Sequence, residues 1–180
     1  MTEESKSEEL SLKAFMLIHR TRDLMFRCQD RAVAEFGITT EQYSVLIAMK
    51  YLDAPVRITD IARWMERMVN SVSMLVDRMV KAGLVDRIRD LTDRREVRLV
   101  ITSKGEQALE LATPRVWRLV QEISSPLSGE DMRTLIRLVE SLRDKALEHL
   151  NPQADPGATL TYETNEVSQL LKRVGRYISQ

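Results

Sequence analysis

The side chains best suited to grip another molecule are two adjacent arginines, Arg94 and Arg95, and a run of small polar residues, Asn70, Ser71 and Ser73. Arginine presents a planar fork of N–H donors that fits phosphate or carboxylate oxygens. Asn and Ser at the start of a helix either cap that helix or hydrogen-bond a neighbouring molecule. Each piece also has an ordinary structural reading, as a helix cap or a solvated charged loop. Other chemistry has little to draw on. His19 and His149 are the only histidines and Cys28 the only cysteine, and none has the spacing of a metal site. No Ser/His/Asp or Cys/His set and no Gly-rich phosphate loop is recognisable. The expectation is therefore a protein that is not an enzyme, with no cofactor and no metal.

The elements that must position these residues follow from periodicity and punctuation. Glu8 to Phe36 repeats apolar residues at helical spacing and stops at Gly37. Thr39 and Gln42 form a capping box that opens a second helix, to about Leu52. Val56 to Ile58 is a candidate short strand. Thr59 is placed to cap a two-turn helix, Asp60 to Glu66. After a three-residue gap, Asn70 or Ser71 caps a helix to Ala82, with Val72, Leu75, Val76 and Met79 inward and Gly83 just past its end. Leu84 to Arg89 and Val97 to Ile101 read as a β-hairpin whose charged tip holds Asp93, Arg94 and Arg95. Thr102 caps a further helix, in which Pro114 predicts a kink or break. Ser128 and Asp131 open another helix that ends near Leu150.

Two short helices with a three-residue gap, followed by a hairpin with a basic tip, describe a winged helix-turn-helix. Such a lobe suits duplex DNA: the second helix fits a major groove, and the arginines of the tip reach a minor groove. The candidate DNA contacts are Thr59, Asn70, Ser71, Ser73, Met74, Arg78, Arg94 and Arg95. The fold class is mainly α, a winged helix-turn-helix with a small β-hairpin wing and long helices forming a dimerisation domain.

Bulk composition agrees. Hydrophobic residues make up 43% and charged residues 30%, enough for a folded core, while aromatics reach only 5%. The net charge is zero, but residues 57–101 carry 10 Lys+Arg against 7 Asp+Glu, so the lobe is locally positive. No run approaches the about 18 apolar residues that would span a membrane. The acidic N-terminus does not read as a signal peptide, and a lone cysteine fits a cytoplasmic protein.

The sequence resembles the MarR family of transcription regulators over roughly residues 10 to 148. The resemblance rests on Thr39-Thr40-Glu41-Gln42-Tyr43, on the run from Val76 to Val85, on Asp93-Arg94-Arg95, and on the run from Val97 to Gly105. It implies a homodimer that binds a pseudo-palindromic operator in double-stranded DNA and acts as a repressor. It further implies that Asp93 holds Arg95 in the wing, and that a small-molecule effector binds between the dimerisation helices and the lobe. A position that is often basic in the family is Met74 here. Redox-sensing relatives place a cysteine at a position resembling Phe15, so Cys28 reads as a small packed thiol.

The domain reading divides the chain into an N-terminal dimerisation helix (1–37), the winged lobe (38–101), C-terminal dimerisation helices (102–150), and a linker with an extra amphipathic helix (151–180). His19, Arg22, Phe26, Tyr43 and Trp64 are grouped as an effector pocket for a small aromatic or carboxylate molecule. The tail stripe of Val167, Leu170, Leu171, Val174 and Ile178 is expected to dock on the dimerisation helices. The competing reading is a winged-helix dimer that serves as a protein-interaction module with little DNA binding.

Overall fold

The computed structural model describes residues 3–89 and 97–150, together with 168–169, 172–175 and 177–178 of the tail. In chain order the elements are α1 (Glu3–Ala34), α2 (Thr40–Tyr51), α3 (Ile58–Trp64), α4 (Val69–Lys81), β1 (Val85–Arg89), β2 (Val97–Ile101), α5 (Ser103–Ser124) and α6 (Gly129–Leu150). The mainly α winged helix-turn-helix fold expected from the sequence is thus the fold of the chain. The hairpin tip, with Asp93, Arg94 and Arg95, and the Asn151–Leu160 linker lie outside the described residues.

The core is built around α2. Its Val45, Leu46, Ile47, Ala48 and Met49 are all buried, because an apolar run with no polar face can satisfy itself only when surrounded. Around it pack Ile61 and Ala62 of α3, Val72, Leu75, Val76 and Met79 of α4, Leu99 of β2, and Leu109 and Ala112 of α5. The capping box at Thr39 forms as read: Gln42 N–H donates to Thr39 Oγ1 and Thr39 N–H to Gln42 Oε1. The hairpin is antiparallel, with Val85 opposite Ile101 and Arg89 opposite Val97.

The joint between α4, the wing and α5 is tightly specified. Gly83 ends α4 with φ +70°, the left-handed value that favours glycine. Thr102 Oγ1 accepts from Gly105 N–H at 3.0 Å, capping α5, and donates to Gly83 O at 2.7 Å. Lys104 Nζ donates to Ala82 O at 2.8 Å, placing a cation at the negative end of α4. A Cβ on Gly105 would stand 2.1 Å from the Leu84 carbonyl oxygen, so only glycine fits there.

Several expectations are corrected. The cap of α3 is Arg57, not Thr59: the Asp60 carboxylate reaches back to accept from Arg57 N–H, so no hydroxyl is needed and the helix starts earlier. Likewise α4 begins after Met68, whose carbonyl accepts from Ser71 and Val72 N–H, and no side chain caps it. Asn70 and Ser71 therefore sit inside the first turn. The candidate strand at Val56 is reduced to one bridge, with Leu99, because Ile58 already belongs to α3. Pro114 does not break α5, whose buried Leu109, Ala112, Thr113 and Val116 pack continuously on both sides of it. Cys28 is exposed on α1 rather than packed.

The tail departs furthest from expectation. Its described residues are helical and dock at the end of α2, in the lobe, and on the first turn of α5, the base of a helix assigned above to dimerisation. Val174 and Tyr177 are 4% and 3% exposed and join the lobe core. Arg173 Nη1 donates to Lys50 O at 3.0 Å, on the last turn of α2, and pairs with Asp53 at 3.3 Å. Tyr177 O–H donates to Glu106, which also holds Lys50 at 2.7 Å. The buried Val174 and Tyr177 are thus rimmed by paired charges, Arg173 with Asp53 and Lys50 with Glu106.

Two stability predictions follow from these contacts. Gly105→Ala is expected to destabilise the chain by about 1–3 kcal/mol, because the added carbon meets rigid backbone; an unchanged denaturation midpoint would refute the close seat. Ending the chain at Leu150 is expected to lower the melting temperature by about 5–10 °C, since two buried side chains are lost at about 1.5–3 kcal/mol each. Melting at the full-length temperature would show that the tail contributes no docking energy.

Candidate nucleic-acid interface

The segment α3–turn–α4 presents one face to solvent, and sequence decides which. Val72, Leu75, Val76 and Met79 recur at helical spacing and turn α4 inward on α2. At 100° per residue, Asn70, Met74 and Lys81 then form the outward crest of α4. Ser71 and Arg78 flank it on one side, Ser73 and Asp77 on the other. Among the described residues, the side chains of Asn70, Ser71 and Ser73 make no hydrogen bond. The capping role open to Asn70 and Ser71 from sequence alone is thereby removed, and their donors and acceptors face outward unused.

The charges of this face are arranged unequally. Asp77, an acid on α4, is ion-paired with Arg87 of β1. Arg78 and Lys81 have no acidic partner among the described residues. Asp60 is engaged by Arg57 at 3.1 Å. Burial alone would raise its carboxyl, but the Arg57 hydrogen bonds and the Arg57 and Arg63 charges outweigh that and hold it below the usual range. Asp60 and Asp77 are thus neutralised locally, while Arg78 and Lys81 remain available. Thr59 is exposed in the first turn of α3, beside Asp60. Glu66, with φ +51°, turns the chain between the two helices, and Arg67 anchors that turn to α2 through Glu41 at 2.8 Å.

The grouped pocket residues are not brought together. Arg22 and Phe26 of α1 line a cavity of about 480 Å³ with Asp23, Arg27, Glu41 and Arg67. A neighbouring cavity of about 290 Å³ shares Phe26 and Glu41 and reaches Leu75 and Arg78 of α4. Tyr43 faces α5 instead: its O–H donates to Thr113 Oγ1 at 3.3 Å, and Thr113 donates to Leu109 O. Burial pushes the Tyr43 phenol above its usual range, with the Thr113 hydrogen bond opposing. Trp64 lies against Tyr51 at 5.8 Å inside the lobe, and His19 against Phe15 at 4.5 Å on α1. Sequence reasoning missed Asp23, Arg27, Glu41 and Arg67. The α1 residues were findable, since Arg22, Phe26 and Asp30 repeat every fourth position, but nothing local points to Arg67.

Comparison with known proteins agrees with this geometry. Residues 38–97 match the model of the MarR family. The chain is 25% identical over 142 residues to the transcriptional activatory protein BadR of Rhodopseudomonas palustris, covering 75% of this chain and 81% of that one. Its fold is shared with a mutant MarR from E. coli complexed with operator DNA (TM-score 0.65, 23% identity, 71% of this chain and 91% of that one). It is also shared with the organohalide-sensing regulator RdhR-CbdbA1625 in its 2,4-dichlorophenol-bound form (TM-score 0.73, 22% identity, 82% and 88%). Over the lobe, residues 38–97, the chain thus matches the MarR family, and lobe, wing and long helices together have the fold of a solved MarR.

Proposed function

We propose that this protein regulates transcription as a homodimer that binds a pseudo-palindromic site in duplex DNA. The observation that carries the reading is the outward face of α4: unused Asn and Ser side chains beside Arg78 and Lys81, on a helix held rigidly by the core. A helix of this kind fits the major groove, and cations beside it meet the phosphates. Arg94 and Arg95 extend the footprint to a minor groove, with Asp93 holding Arg95. The relative bound to operator DNA supports the same use of the fold.

The dimer follows from what the protomer leaves uncovered. Leu10, Leu12, Phe15, Leu17 and Leu24 of α1 are exposed, and α6 has no buried residue at all, although Leu135, Leu138 and Leu142 stripe it. Apolar faces this long need a partner, and a second copy related by a two-fold axis supplies one. Residues 1–37 and 102–150 would then form the dimerisation region and 38–101 the DNA-binding lobe. Where such a site overlaps a promoter, the bound dimer excludes polymerase, which is the reading of the protein as a repressor. The cavity at Arg22 and Phe26 is the proposed effector site. Its three arginines outnumber its two acids, and Phe26 supplies an apolar wall, which suits an aromatic carboxylate. A ligand there would press on the α3–α4 turn through Arg67.

Two measurements test this function. Sedimentation at micromolar concentration is expected to give about 42 kDa, twice the 20.8 kDa of one chain; a monomer that binds DNA tightly would refute the dimer. Arg95→Ala is expected to weaken binding to every duplex and to reduce the salt slope by about one unit, and Asp93→Ala to weaken it less. Unchanged affinity in both would return the tip to ordinary solvated surface, and no duplex binding even at low salt would favour a protein-interaction module.

A further inference from the structure

Met74 is the anomaly of the α4 surface. It is 69% exposed, yet it stands at the crest of the helix, opposite the buried stripe of Val72, Leu75, Val76 and Met79. A large apolar side chain at that place is mostly solvated in the free protein. Its neighbours are of another kind: Asn70 one turn before it, Arg78 and Lys81 one and two turns after. The apolar surface of the long helices lies on other elements, α1 and α6. An apolar group rimmed by cations that have no acidic partner among the described residues matches a polyanion that carries isolated apolar groups between its charges. Duplex DNA has that chemistry in its major groove, where the C5 methyl of thymine is the apolar feature on the base-pair edges.

We infer that Met74 is a specificity-determining residue that packs on the C5 methyl of a thymine in each half-site. The inference rests on the DNA-binding reading above and deepens it. Met74 enters the groove with Asn70 and Lys81 when α4 docks, because the crest is the part of the helix farthest from the lobe, and it is the apolar member of that crest. Asn70 precedes it by about 6 Å of helix rise, just under two base-pair steps of about 3.4 Å each. Asn70 therefore reads a pair about two steps from the thymine, and adenine is the base whose edge an asparagine matches with two hydrogen bonds. The two residues together favour A·T pairs about two steps apart. The thioether side chain is unbranched and flexible, so it adapts to the methyl without a fixed backbone distance.

The test uses the full-length protein and a duplex enriched by it from a randomised library. Each thymine of that duplex is replaced in turn by deoxyuridine, which pairs identically and lacks only the methyl. At one symmetry-related thymine per half-site, the replacement is expected to weaken wild-type binding about fourfold, the effect of unburying one methyl-sized group. Met74→Ala, whose exposed position leaves melting unchanged, is expected to bind both duplexes equally. Met68→Ala removes another exposed methionine, one outside the crest, and is expected to keep the full penalty at that thymine. The inference is overturned if no thymine methyl matters to the wild type, or if the penalty persists in Met74→Ala or disappears in Met68→Ala. Failure to enrich any duplex would overturn the DNA-binding reading itself.

Discussion

The rest of the structure hangs on the seat of Gly105 against the Leu84 carbonyl, with Thr102 hydrogen-bonded to both sides of the joint. Here three elements meet that must keep a fixed relation: the outward-facing helix α4, the wing, and α5, which leaves the lobe toward the long helices. One hydroxyl caps α5 by accepting from Gly105 N–H, while its proton satisfies the carbonyl that follows α4. Lys104 adds a cation at the last carbonyls of α4. A side chain at Gly105 would push α5 off the hairpin and tilt α4 relative to everything beyond it.

Rigidity of this kind matters because α4 works at a distance from the long helices. If two lobes are carried by one paired helical frame, the separation of their outward helices depends on the angle at each joint. The cavity at Arg22 and Phe26 reaches Glu41 in the first turn of α2, whereas α5 meets Lys50 in its last turn through Glu106. Its walls come from α1 and from the α3–α4 turn, tied by the Arg67–Glu41 pair. A ligand that competes for Arg67 would loosen the turn while the Gly105 joint stays closed. Lobe tilt would then be adjusted from one side against a fixed pivot.

The tail strengthens the pivot. Arg173 closes the exposed carbonyl end of α2, and Tyr177 reaches the same Glu106 that Lys50 holds. Two helices and the tail share one small polar network above the buried Val174 and Tyr177 side chains. Charges that sequence alone would assign to solvent or phosphate are partly consumed there, Arg173 above all.

Much of this was legible in the residues themselves, wherever the deciding interaction spans a few positions. The Thr39–Gln42 capping box, the Thr102 cap, the Ser128–Asp131 pair, the left-handed glycine after α4 and the inward stripe of α4 are all local. Their physics is complete within one or two turns, so order and type of side chain suffice. Tertiary structure decided the remainder. It started α3 at Arg57 and α4 after Met68, because carboxylate and carbonyl acceptors met the first N–H groups before any hydroxyl could. It separated Tyr43, Trp64 and His19 from Arg22 and Phe26, since Tyr43 and Trp64 found partners on other elements and His19 found Phe15 one turn back on α1. It sent the tail to the lobe, where Arg173 meets a carbonyl 123 positions earlier and Tyr177 a carboxylate 71 positions earlier. No periodicity encodes such pairings; they depend on which surfaces the folded core leaves uncovered and on the charges that rim them.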